Sequence, residues 1–134
     1  MSSAVGQSGY AERFDYRVDI LRRRNRVIAM KDGVLLAESD RTLLVDEQNH
    51  GLVFYFPRTD VRLGLLEAMP GKSSYCPYKG EASYWRRAGG SDDPVAWSYD
   101  RPFAEVSQIA GYIAFYQDRV TVSIGIATAL HNRG

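Results

Sequence analysis

The dipeptide Asp32-Gly33, set between short apolar runs at 27–30 and 34–37, constrains this chain more than any other local feature. Asp-Gly flanked by apolar runs is a hairpin signal, because glycine takes the positive φ that the turn requires. Pairing of antiparallel strands is thus expected from the first third of the chain onward. The same logic extends in both directions. Phe14, Tyr16, Val18 and Ile20 alternate with polar or charged neighbours, the period-2 pattern of a half-buried strand. Runs at 43–45 and 52–56 enclose the polar stretch 46–51, a second hairpin, and Pro57 stops its outgoing strand because proline supplies no ladder N–H.

Further along, 82–87 and 95–99 are separated by a loop, Ala88-Gly89-Gly90-Ser91-Asp92-Asp93-Pro94. The chain closes with 112–116, a turn at Gln117-Asp118, and 120–126. Two short helices are expected between these strands. Thr59 or Asp60 caps the first, with Val61, Leu65 and Leu66 on one side and Met69-Pro70-Gly71 at its end. Pro102 opens the second, with Phe103, Val106 and Ile109 sharing a face. The expectation is a mainly β, mostly antiparallel domain over residues 10–130, preceded by a small, polar, Gly-rich and disordered tail at 1–9.

Composition narrows the function classes. Seventeen basic residues nearly cancel sixteen acidic ones, so average charge points to neither a nucleic-acid nor a membrane partner. The run Arg22-Arg23-Arg24-Asn25-Arg26 can meet phosphates or stand as a solvated loop, and the second is the plainer reading. No apolar stretch approaches the ~20 residues of a membrane span. No basic start followed by an apolar run marks a secretory signal, and the one cysteine precludes an internal disulfide, so a cytoplasmic location is expected. Oligomeric state is not legible.

Candidate chemistry concentrates in residues 76–85. Cys76 lies three residues from Lys79, whose ammonium favours a thiolate, but nucleophilic catalysis also wants a base, and the only histidines are His50 and His131. A lone cysteine is equally read as a small buried side chain. One cysteine and two distant histidines cannot build a structural zinc site, and Asp92-Asp93 before proline is turn chemistry, so no metal and no cofactor are expected. Phosphate-binding glycine loops and the Gly-x-Ser-x-Gly elbow are absent. If 79–87 is extended, Lys79, Glu81, Ser83, Trp85 and Arg87 share one face, while Val95, Trp97 and Tyr99 share a face of the partner strand. Trp85 and Trp97 then form either the wall of a pocket rimmed by Lys79, Glu81 and Arg58, or a plain aromatic core.

Four segments carry a resemblance. They are Tyr55-Phe56-Pro57-Arg58-Thr59-Asp60-Val61, Cys76-Pro77-Tyr78-Lys79-Gly80-Glu81-Ala82-Ser83-Tyr84-Trp85, Ala96-Trp97-Ser98-Tyr99 and Ile109-Ala110-Gly111-Tyr112-Ile113-Ala114-Phe115-Tyr116. Over roughly residues 27–122 the chain resembles the domain-of-unknown-function family four-twenty-seven, also labelled nucleotidyltransferase-like. It departs at Thr59, where an acid is common, and at Gln117, where proline is common. The resemblance implies a small β-tent-like (Mss4-like) fold of two antiparallel sheets. The paired Cys-x-x-Cys zinc motifs of many β-tent proteins are missing here, and the nucleotidyltransferase label finds no metal-holding carboxylates or phosphate loop behind it. Fold likeness alone assigns no activity.

Three readings stand at this level. The first is binding of a small, possibly anionic ligand in a pocket between the sheets. There Arg58 and Lys79 grip the anion, Glu81 or Asp60 orients it, and Tyr78, Trp85 and Trp97 line the walls. The second is an enzyme using Cys76 as nucleophile or Lys79 as base or Schiff-base former. The third is a protein-interaction module with an exposed β edge. Gly80 is expected to serve the backbone, allowing another segment to approach closely.

Overall fold

In a computed structural model the chain is described over residues 15–125. The expected tail, Phe14, His131 and the end of the last strand lie outside the described residues. Ten strands form among the described residues: β1 Val18–Arg22, β2 Val27–Lys31, β3 Val34–Ser39, β4 Leu43–Glu47, β5 Leu52–Phe56, β6 Leu66–Cys76, β7 Gly80–Arg87, β8 Pro94–Ser98, β9 Ile113–Phe115 and β10 Thr121–Ile124. They divide into a seven-stranded sheet, in the order β1-β4-β5-β9-β8-β7-β6, and a three-stranded sheet, β10-β2-β3. All pairings are antiparallel.

The local signals explain the hairpins. Asp32 and Gly33 take φ of 52° and 78°, the paired left-handed turn that joins β2 to β3. Asn49 at φ 64° lies in the polar stretch linking β4 to β5. Alternation then assigns faces. Within β5, Tyr55 belongs to one apolar cluster and Phe56 to another; within β9, Ile113 and Phe115 go one way and Ala114 the other. Consecutive residues of a strand point to opposite faces, so the two clusters lie on opposite sides of the seven-stranded sheet.

The first cluster joins Phe56, Ile113 and Phe115 to Val27, Ala29, Leu36 and Ala37 of the small sheet, and so fills the space between the sheets. The second covers the other face, where Val106 and Ile109 pack on Leu43, Tyr55, Tyr99 and Ala114. On that side the sheet curls until its ends meet. Tyr16, just before edge strand β1, stacks on Tyr78 in the β6–β7 turn, with ring centroids 3.6 Å apart and planes within 7°.

The first expected helix does not form. Arg58–Asp60 and Leu63–Leu65 are single 3-10 turns, and Leu66 already begins β6. The cause is tertiary: Val61 is extended and bridges Ala37, while the Arg62 amide donates to the Leu36 carbonyl at 2.8 Å. Pairing to β3 thus overrides a weak local propensity. Met69-Pro70-Gly71 does not end a helix but sits within β6, where the register slips between Ala68 and Ser73. Proline is tolerated there because β6 is an edge strand. The second expected helix is a 3-10 segment, Ala104–Ile109, broken by Val106 at φ −127°. No helix among the described residues is long and apolar enough to cross a membrane.

Candidate functional site

Where the large sheet curls, its inner face leaves a cavity of about 630 Å³. Its walls come from β4, β5, β8 and the β6–β7 turn, and none of its lining residues belongs to the small sheet. This corrects the expected position between the sheets, since that space is occupied by the first apolar cluster.

The alternation Leu43, Val45, Glu47 places a carboxylate on the buried face of β4, in line with two core side chains. Opposite it, the turn between β6 and β7 delivers Lys79. Gly80 makes that turn possible. Its φ is +118°, and an added Cβ would lie 3.3 Å from the Arg101 carbonyl oxygen, so only glycine permits this approach. The Lys79 carbonyl in turn accepts from the Phe103 amide at 3.1 Å, which pins the turn to the loop beyond β8.

Lys79 and Glu47 form a direct ion pair, both nearly buried, with side-chain exposures of 11% and 8%. The second carboxylate oxygen accepts the Tyr16 hydroxyl, and the His50 imidazole lies 3.6 Å from it. Burial pushes the Glu47 carboxyl up, but the hydrogen bonds from Lys79 and Tyr16 outweigh it and hold the group below the usual carboxylate range. Burial, then the neighbouring Glu47, pushes the Tyr16 phenol above its ordinary value. Burial likewise raises Tyr99 and Tyr55.

Aromatic rings enclose this polar centre. The Lys79 ammonium lies 5.9 Å from the Tyr99 ring centroid. Trp97 donates its indole N–H to the Tyr55 hydroxyl at 3.1 Å and packs against Tyr116 at 4.7 Å between centroids. The resulting site is a cavity with aromatic walls and a mutually neutralised acid–base pair at its edge.

Of the residues singled out from sequence, His50, Cys76, Tyr78, Lys79 and Trp97 line this cavity. Arg58, Asp60, Glu81 and Trp85 do not. Trp85 packs on the inter-sheet cluster, donates to Ser98 Oγ at 3.2 Å, and carries the Arg58 guanidinium over its ring at 5.2 Å. Asp60 accepts Ser39 Oγ at 2.6 Å and pairs with Arg41 at 3.0 Å in a different cleft. Glu81 is exposed on β7. The two tryptophans therefore lie on opposite faces, and Arg58 and Lys79 do not converge on one anion.

A turn, a register and a bulge explain the split. Lys79 precedes β7 and belongs to the turn, so strand alternation does not apply to it. Trp85 is paired with Ala96 and Tyr84 with Trp97, so the two tryptophans point to opposite faces. Beyond that pair the register slips, Arg86 facing Pro94, and the bulged Val95 joins Ala96 in the inter-sheet cluster while Trp97 and Tyr99 face the cavity.

Sequence reading overlooked Glu47, Tyr16 and Tyr55 as site residues, and named Tyr99 only as sharing the face of Trp97. For Glu47 a signal existed, namely an acid in phase with the apolar face of a strand. Among the described residues, no grouping of His, Cys, Asp and Glu is placed to hold a metal ion. A family model described as a domain of unknown function, DUF427, matches residues 19–125. No curated protein matches the chain.

Proposed function

We propose that this chain, which belongs to the DUF427 family of domains of unknown function, binds a small, flat, polar but uncharged molecule in the cavity on the inner face of the large sheet. One observation carries this reading: the Lys79–Glu47 pair lies at the wall of an aromatic cavity of about 630 Å³, within the usual range of about 300–1,000 Å³ for ligand sites. Buried ion pairs stabilise folds weakly and are costly to desolvate, so their use in a cavity favours recognition over stability. Because Glu47 neutralises Lys79, the site offers one donor and one acceptor rather than a net charge. That favours an amide-like or heterocyclic ligand over the anion expected from sequence. Trp97 and Tyr99 supply faces for its ring.

A ligand screen by thermal shift tests this. Hits should lose their stabilising effect in Trp97→Leu and in Glu47→Gln, and keep it in Arg58→Ala, whose side chain lies outside the cavity. Hits indifferent to both cavity substitutions refute the assignment.

A second reading, an enzyme with Cys76 as nucleophile, draws support from His50 and Glu47, which line the same cavity 3.6 Å apart. An imidazole oriented by a carboxylate is the base that a thiol needs. Alkylation of Cys76 should then be slowed by His50→Ala; equal alkylation rates in the two proteins remove this reading. The β-tent-like, Mss4-like description is also a proposal, supported by two antiparallel sheets that share one core.

A further inference from the structure

A second cleft, of about 540 Å³, opens on the far end of β4 and shares no lining residue with the aromatic cavity. Arg22, Arg23 and Arg24 approach it from the end of β1, and Arg41 from the β3–β4 turn. The Arg23 amide donates to the Thr42 carbonyl at 2.9 Å, which fixes the two segments side by side. Four arginines thus line a cleft that holds one carboxylate, Asp40, in a chain whose formal net charge is only +1. Two of the four are engaged: Arg41 with Asp60, and Arg23 with the Asn25 amide oxygen at 3.0 Å. Arg22 and Arg24 are exposed and have no side-chain partner among the described residues.

The lining is not only cationic. Leu43, Pro57 and Tyr112 contribute an apolar floor. Thr42 backs this lining but is only 1% exposed, so its hydroxyl is out of reach of a ligand in the cleft. Arginine, with its planar fork of donors, is the side chain suited to phosphoryl oxygens.

The geometry points to this cleft as a binding site for a small organic phosphate. The phosphoryl group lies on Arg22 and Arg24, and the apolar body lies on the Tyr112 floor. Read alone, the arginine run is a solvated turn. What makes it a site is the arrival of Arg41, Pro57 and Tyr112 from distant parts of the chain.

Titration calorimetry on the full chain, at fixed ionic strength, tests this with phenyl phosphate, inorganic phosphate and phenol. Phenyl phosphate should bind saturably and more tightly than either fragment. The exposed double substitution Arg22→Ala/Arg24→Ala should weaken it at least about tenfold, the worth of one charge-assisted hydrogen bond. Inorganic phosphate binding as tightly as phenyl phosphate, absence of saturation, or affinity unchanged in the double variant overturns the proposal. Because Trp97 is outside this cleft, Trp97→Leu should leave phenyl phosphate binding intact, which separates this site from the aromatic cavity.

Discussion

Replacing Lys79 by methionine keeps the length and most of the volume of the side chain but removes the ammonium paired with Glu47. The carboxylate then sits at 8% side-chain exposure with only the Tyr16 hydroxyl and the more distant His50 to stabilise it. Breaking a fully buried pair costs about 3–5 kcal/mol. Here the cavity admits water and Tyr16 stays in place, so the expected loss is smaller, about 2–3 kcal/mol. For a domain of this size that lowers Tm by roughly 6–12 °C. The decisive assay is a double-mutant cycle by urea unfolding, with Lys79→Met, Glu47→Gln and the pair together. If the two side chains interact as described, the double variant should lose at least about 1 kcal/mol less than the sum of the singles. A Lys79→Met protein within about 0.5 kcal/mol of the parent, or strictly additive singles, would refute the claim that this pair is a coupled buried unit.

The pH dependence follows from the same carboxylate. Glu47 is held low in the fold, so its contribution is fully present above the unfolded carboxyl value of about 4.3 and is lost as pH falls through the folded value. The stability deficit of Lys79→Met relative to the parent should therefore be largest near neutral pH and shrink as pH falls and Glu47 protonates, followed by urea unfolding at a series of pH values; a deficit independent of pH would contradict the assignment. Gly80→Ala forces a side chain into a φ of +118° against the Arg101 carbonyl, and should lower stability by about 2 kcal/mol or more in urea unfolding. Thr42→Val removes a buried hydroxyl without a partner and should leave the ligand-free protein equally or more stable, by up to about 1 kcal/mol on the same scale. Ligand in the aromatic cavity should quench the fluorescence of Trp97; a signal that persists in Trp97→Leu and arises from Trp85 would place the ligand elsewhere.

Much of the architecture is local in origin and therefore legible from residues alone. The Asp32-Gly33 turn, the β4–β5 hairpin and the strands around the 88–94 loop each rest on a backbone preference or a period of two that neighbouring residues set. The family signature at 76–85 was legible for the same reason, being continuous in sequence. Boundaries were less so: an extended Val61, pulled into a bridge with Ala37, turned an expected helix into two 3-10 turns.

The candidate site belongs to the other category. Lys79 meets Glu47 across 32 residues, and Tyr16 meets Tyr78 only because a seven-stranded sheet curls until its edges touch. The pairing register, Tyr84 opposite Trp97 and Trp85 opposite Ala96, decides that Trp97 faces the cavity while Trp85, on the adjoining strand, faces the inter-sheet core. A register one residue different would put both rings on one face, and no alternation pattern within a single strand reveals which register forms. The sequence alone thus determined that this chain is built of antiparallel hairpins and that its lysine and thiol share one continuous signature. Only the tertiary structure decided that Lys79 sits in a turn and what that turn faces, because sheet curvature and non-local strand pairing depend on the whole set of contacts rather than on any local run.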